Sequence, residues 1–160
     1  DNGKKIYALA AHLGQEALYE IDVSSGTIKG LITEGHLGYP SLVNKTIIFA
    51  RDDLKSPVDL FSANLEGKDI KQITYINKDR LQPVQMGVYE QFTFEGWNDE
   101  TVYGYLVKPV NLAPAQKYPV AFLIHGGPHG SFGNRFHYRW NPQTYAGAGS
   151  VSCNGDIDGT

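Results

Sequence analysis

The first half of this chain repeats itself. Residues 6–11 (IYALAA), 18–26 (LYEIDVSSG) and 28–33 (IKGLIT) are answered by residues 47–51 (IIFAR), 60–67 (LFSANLEG) and 70–74 (IKQIT). Ile6 maps to Ile47, Gly26 to Gly67 and Thr33 to Thr74, each 41 residues on; only one loop differs, by a single residue. Each copy holds short runs of β-branched and aromatic residues separated by turn residues. Ser24-Ser25-Gly26 and Glu66-Gly67 stand where a hairpin would reverse. Between residues 18 and 23, Leu18, Glu20 and Asp22 share one face while Tyr19, Ile21 and Val23 share the other, the period of a half-buried strand.

A strand-rich unit of this length matches one four-stranded blade of a β-propeller, whose repeats run roughly 40–50 residues. The alternative is two unrelated hairpin pairs in a sandwich. A ring needs at least about four blades, so the propeller reading expects further blades before Asp1. Residues 1–80 are accordingly read as the last blades of a propeller. Lys4-Lys5 before residues 6–11 has the outline of a signal peptide, but the apolar run is short and recurs inside the chain, so it is read as a strand.

The repeat stops near residue 76. Asn77, Lys78, Asp79 and Arg80 form a charged connector and Pro83 interrupts any regular element. Residues 89–97 (YEQFTFEGW) then alternate, Asn98-Asp99 supplies a turn, and residues 101–108 (TVYGYLVK) return as the second arm of a hairpin. Residues 120–124 (VAFLI) are apolar on both faces, as in a strand in the middle of an α/β sheet. Asn141 and Pro142 read as the cap and first residue of a helix that Gly147 and Gly149 end. The expected fold class is therefore mixed: partial β-propeller, then the start of an α/β-hydrolase domain over residues 81–149. Residues 150–160 form an atypical, polar C-terminal tail.

The apolar strand runs directly into His125-Gly126-Gly127-Pro128. Glycines here let the backbone approach a ligand closely and turn its N–H groups outward. Two such donors aimed at one point stabilise a developing oxyanion, each worth about 2.7–4 kcal/mol of transition-state energy. A glycine loop after a buried strand is where α/β-hydrolases keep one donor, so Gly126 and Gly127 are the candidate oxyanion-hole residues. His125 is not assigned as the base, because that histidine follows the nucleophile in such enzymes. His125, His129 and His137 have irregular spacings and no completing carboxylate, so no metal is expected. No Gly-x-Ser-x-Gly occurs in the 160 residues, and no nucleophile or general base is assigned; the chain alone is expected to be inactive.

Charge and composition narrow the partners. A net charge of −3 gives no basic field for nucleic acid. The longest apolar runs fall far short of the ~20 residues of a membrane helix. Cys153 is the single cysteine, so no internal disulfide exists. No cofactor is expected. Asn44-Lys45-Thr46 is a glycosylation sequon at a turn between strands, with meaning only in a secreted protein.

With KYPVAFLIHGGPHGS and RWNPQTYA following a propeller-like repeat and a hairpin, the chain resembles the prolyl oligopeptidase (S9) family of serine peptidases, on the acylaminoacyl-peptidase branch and nearest its fungal secreted dipeptidyl-peptidases. The resemblance runs from about Lys5 to Gly149. It implies a serine hydrolase acting on short peptides, a propeller that restricts access, and a Ser-Asp-His triad beyond Thr160. It further implies release of dipeptides from a free N-terminus, secretion, glycosylation at Asn44, and the antigenic or allergenic character of such fungal proteins. The alternatives are an intracellular acylaminoacyl-peptidase or oligopeptidase of the same family, and a non-catalytic propeller that binds proteins. The resemblance breaks at residues 150–160, polar and glycine-rich where the family has an apolar strand. No function is carried onto them, Cys153 included.

Overall fold

The computed structural model describes residues 3–127 and 130–155. It is mostly β-structure, in two sheets. The first holds β1 (Lys5–His12), β2 (Gln15–Asp22), β3 (Ile28–Ile32), β4 (His36–Val43), β5 (Thr46–Asp53), β6 (Ser56–Asn64) and β7 (Lys71–Gln72). β1, β2 and β3 form one antiparallel meander; β4, β5, β6 and β7 form another. A single parallel bridge, Glu16 to His36, joins them.

The 41-residue repeat is visible as a repeat of turns. In the first copy the Asp22 carboxylate accepts the Ser24 and Ser25 N–H groups; in the second the Asn64 side-chain oxygen accepts those of Glu66 and Lys68. Both are Asx turns, and each is followed by a glycine at positive φ, Gly26 (+70°) and Gly67 (+73°), where a side chain would be strained. The two meanders share one core. Leu18 and Ile32 from the first pack with Leu37, Ile47, Phe49 and Ala63 from the second. A Cβ on Gly67 would overlap the Leu31 carbonyl, which shows how closely the meanders approach.

After a short helix, α1 (Lys78–Leu81), the second sheet begins with β8 (Tyr89–Glu95) and β9 (Thr101–Val107). They form the expected hairpin, turned by Asn98 and Asp99, both at positive φ. β10 (Val120–Leu123) and β11 (Val151–Gly155) complete the order β10-β11-β9-β8. β10 and β11 are parallel and therefore need a crossover, which contains helix α2 (Pro142–Gly147). The Asn141 side chain accepts the Gln143 N–H at 2.9 Å, Pro142 occupies the first helical position, and Gly149 leaves at φ +87°.

Two expectations are corrected. Residues 120–124 are not buried on both faces: β10 is an edge strand, paired on one side only by β11. Val120, Phe122 and Ile124 are 66%, 59% and 64% exposed, because no layer covers their face among the described residues. The polar tail is not loose either. Its first half is β11, an inner strand between β10 and β9, with Ser152, Asn154 and Gly155 buried. Backbone pairing on both sides outweighs its weak side-chain signal. Residues 156–160 lie outside the described residues.

Candidate functional site: the glycine loop after β10

The chain leaves β10 through Ile124 into His125, Gly126 and Gly127. Both glycines are exposed, and a Cβ at Gly126 would meet nothing within 4 Å. Packing therefore does not require glycine at position 126; what glycine leaves there is room for another molecule against the backbone. Neither the Gly126 nor the Gly127 N–H has a partner among the described residues. Beside the loop lies an open cleft of about 270 Å³, lined by Phe122, Ile124, His125, Phe132 and Trp140.

His125 turns back onto its own loop. Its Nδ1 lies 3.0 Å from the Gly126 carbonyl oxygen, which can only accept, so Nδ1 is the donor. Nε2 is buried without a partner among the described residues. The ring meets Phe132 edge-on, 5.7 Å between centroids. His137 does different work: its Nδ1 accepts the Arg139 and Trp140 N–H groups at 3.1 and 2.9 Å. His129 and Pro128 lie outside the described residues. Among the described residues no group of three His, Cys, Asp or Glu side chains could hold a metal. Cys153 on β11 is half-buried and burial pushes its thiol up, which disfavours the reactive thiolate. Asn44 sits exposed at the β4–β5 turn, at φ +46°, far along the first sheet from the glycine loop in sequence.

The residues that hold this loop in place carried no sequence motif. The segment 131–136, which continues the loop, is clamped by the tips of the first sheet. The Asn134 N–H donates to the Gly14 carbonyl at 2.6 Å, and its Oδ1 accepts the Leu54 N–H at 3.0 Å. Asn134 Nδ2 donates to Gln15 Oε1 at 3.1 Å. The Phe136 N–H donates to Asp52 Oδ1 at 2.7 Å, while Asp52 Oδ2 is 3.0 Å from His36 Nδ1. On the other flank, Gln143 Nε2 donates to the carbonyls of Leu54 and Gly87, and its Oε1 accepts the Gly87 N–H. Leu54, at the β5–β6 turn, is thereby held by its N–H and its C=O, with its side chain buried against Tyr105, Val107 and Ala146. Long-range hydrogen bonds between amide side chains and backbone have no sequence period, so nothing in the chain's pattern announces them.

An all-β repeat is thus docked onto a sheet in which a strand, a glycine loop and a capped helix lead to a parallel return strand. No family model matches the chain. Its homologues are dipeptidyl-peptidases 5 and 4 of the S9 family, and its structural neighbours are acylaminoacyl peptidases and other prolyl oligopeptidase family members. Dipeptidyl-peptidase 5 of Schizosaccharomyces pombe is 27% identical over 91% of this chain and 21% of its own length. The probable dipeptidyl-peptidase 5 of Aspergillus clavatus is 48% identical over 59 residues, 36% of this chain and 8% of its own. Acylaminoacyl peptidase of Pyrococcus horikoshii superposes with a TM-score of 0.77 at 21% identity, over 96% of this chain and 23% of that one. The chain spans about a fifth of the length of the relatives it matches from end to end. The resemblance read from the sequence is borne out, and a peptidase is what these homologues support.

Proposed function

We propose that this chain is part of a secreted serine dipeptidyl-peptidase that cleaves short peptides from a free N-terminus through an acyl-enzyme. Residues 1–80 are read as the last blades of an access-restricting propeller and residues 81–149 as the opening of the α/β-hydrolase domain. The observation that carries the reading is the exposed Gly126-Gly127 pair, whose N–H groups have no partner among the described residues. An amide already bonded inward could not receive an oxyanion; an unbonded one on an exposed residue can. The seryl nucleophile and its acid and base partners belong to a part of the enzyme outside these 160 residues, so the chain by itself does not turn over substrate. Short peptides are the substrates, without cofactor or metal. Asn44, exposed at its turn, is the glycosylation site of the secreted form.

The test is made on the full-length enzyme. Gly126→Pro removes one N–H donor at a position where the backbone is not at positive φ. Turnover of a dipeptidyl chromogenic substrate is expected to fall about 10²–10³-fold, with the thermal melt little changed. Unaltered turnover removes the glycine loop from the mechanism. A second reading, an acylaminoacyl-peptidase, is favoured by the backbone likeness to acylaminoacyl peptidase. Peptides with free and with acetylated N-termini separate the two, since a dipeptidyl-peptidase needs the free amine.

A further inference from the structure

We propose that Asn134 is a positioning residue for the glycine loop, through which docking of the first sheet fixes where the Gly126 and Gly127 amides point. The inference rests on the peptidase reading above. Its physical basis is that Gly126 cannot fix itself: it touches nothing beyond its neighbours on the side a Cβ would occupy, and its N–H has no partner among the described residues. Its position is therefore imposed from either side. On one side stands β10. On the other stands a short relay of contacts.

The relay begins at Asn134, which is 4% exposed and uses its backbone N–H and both side-chain polar atoms. Three of its partners belong to the first sheet: Gly14 and Leu54 lie in its turns and Gln15 opens β2. Gly133 next to it is pressed onto Gly14 so closely that a Cβ on Gly133 would overlap the Gly14 carbonyl. Two residues upstream, Phe132 is held by its carbonyl, which accepts Asn154 Nδ2 of β11 at 2.6 Å. The Phe132 ring meets the His125 ring, and His125 Nδ1 donates to the Gly126 carbonyl. From the first sheet to Gly126 there are thus four links: Asn134, Phe132, His125, Gly126. The Asn134 contacts are buried or half-buried, Gly133 joins Asn134 to Phe132 along the chain, the Phe132 and His125 rings are half-buried, and the last contact, at Gly126, is exposed; none needs Asn134 to touch substrate.

A misplacement of about 1 Å in a catalytic donor costs about 10² in rate without weakening substrate binding to match. In the full-length enzyme, Asn134→Ala is expected to lower kcat about 10²-fold with KM little changed. Amide hydrogen exchange at Gly126 and Gly127 is expected to quicken while amides of β5 and β6 hold their protection. Asn134→Asp keeps the shape and the acceptor for the Leu54 N–H but loses the donor to Gln15. It is expected to give the same signature in smaller measure, and it serves if the alanine variant does not fold. Unchanged kcat in a folded variant overturns the proposal. So does a fall in kcat with no change in exchange at Gly126 and Gly127, or a loss of protection spread evenly over both sheets. If the wild-type enzyme cleaves no peptide, the peptidase reading fails, and exchange at the two glycines alone then decides whether Asn134 positions them.

Discussion

The two sheets are built on opposite terms. In the first, every strand pairs with a sequence neighbour, the one non-sequential pairing is the single bridge from β2 to β4, and the apolar core of Leu18, Ile32, Leu37, Ile47, Phe49 and Ala63 is supplied from within. In the second, β11 must travel past a crossover to sit between β10 and β9, and the small core of Tyr105, Val107 and Ala146 is closed by Leu54 from the first sheet. One sheet is local and self-sufficient; the other is non-local and borrows. Pairings across long sequence separations carry a loop-closure cost before they return any contact energy. The second sheet, which holds the glycine loop, therefore depends on the first for its order as well as for its placement.

The strongest way to break that comparison is at Leu54. Its side chain is fully buried among residues of the second sheet while its backbone belongs to a turn of the first. Leu54→Ala is expected to cost about 2–5 kcal/mol, and to cost it unevenly. Hydrogen exchange should show β9, β11 and α2 opening at lower free energy while β5 and β6 remain protected. Equal loss in both sheets would mean that the two fold as one unit and that the borrowing is only apparent.

A smaller effect sharpens the same contrast from inside the second region. The Asn141 side chain caps α2, a helix of six residues with no other side-chain cap, and that helix sits in the crossover between β10 and β11. Asn141→Ala is expected to cost about 1 kcal/mol, read as a lower melting temperature with the first sheet's exchange pattern unchanged.

The same asymmetry explains what could be read from the sequence. Local features were legible: the repeat, the reversals at Ser24-Ser25-Gly26 and Glu66-Gly67, the β8–β9 hairpin turned at Asn98-Asp99, and the capped start of α2. β4 was not, because it contains Pro40 and a bulge that puts Tyr39 at φ +52° and 91% exposed, which reads as a break rather than a strand. Matching letters also did not guarantee matching burial. Leu18 is 0% exposed and its repeat partner Leu60 is 42% exposed, since the meanders pack on one another and cannot present the same face to the same neighbour. β11 was hidden because Ser152 and Asn154 are polar yet buried, their place set by pairing with β10 and β9. At the candidate site the glycines were legible as a motif. Asn134, Gln143, Gln15 and Asp52 were not, because what makes them matter is a partner 50 to 120 residues away.

The smallest expected effect is confined to the self-sufficient sheet. Asp22 at the β2–β3 turn accepts hydrogen bonds from the Ser24 and Ser25 hydroxyls and N–H groups, led by the Ser24 hydroxyl, and these hold its carboxyl at about 2, below the usual 3.8. A carboxylate favoured in the folded state contributes stability above its unfolded value and loses it as acid protonates it. The contribution is therefore complete above about pH 4 and is lost as pH falls from there through about 2. Asp22→Asn removes the charge and keeps the shape, so the variant and the parent should converge in stability over that acid window and differ by a small, constant amount at neutral pH. Because the turn lies at the surface, added salt should narrow the neutral-pH difference. No difference at any pH would mean that the turn is held by its backbone alone, and that even the local half of the molecule owes less to its side chains than its repeated sequence suggests.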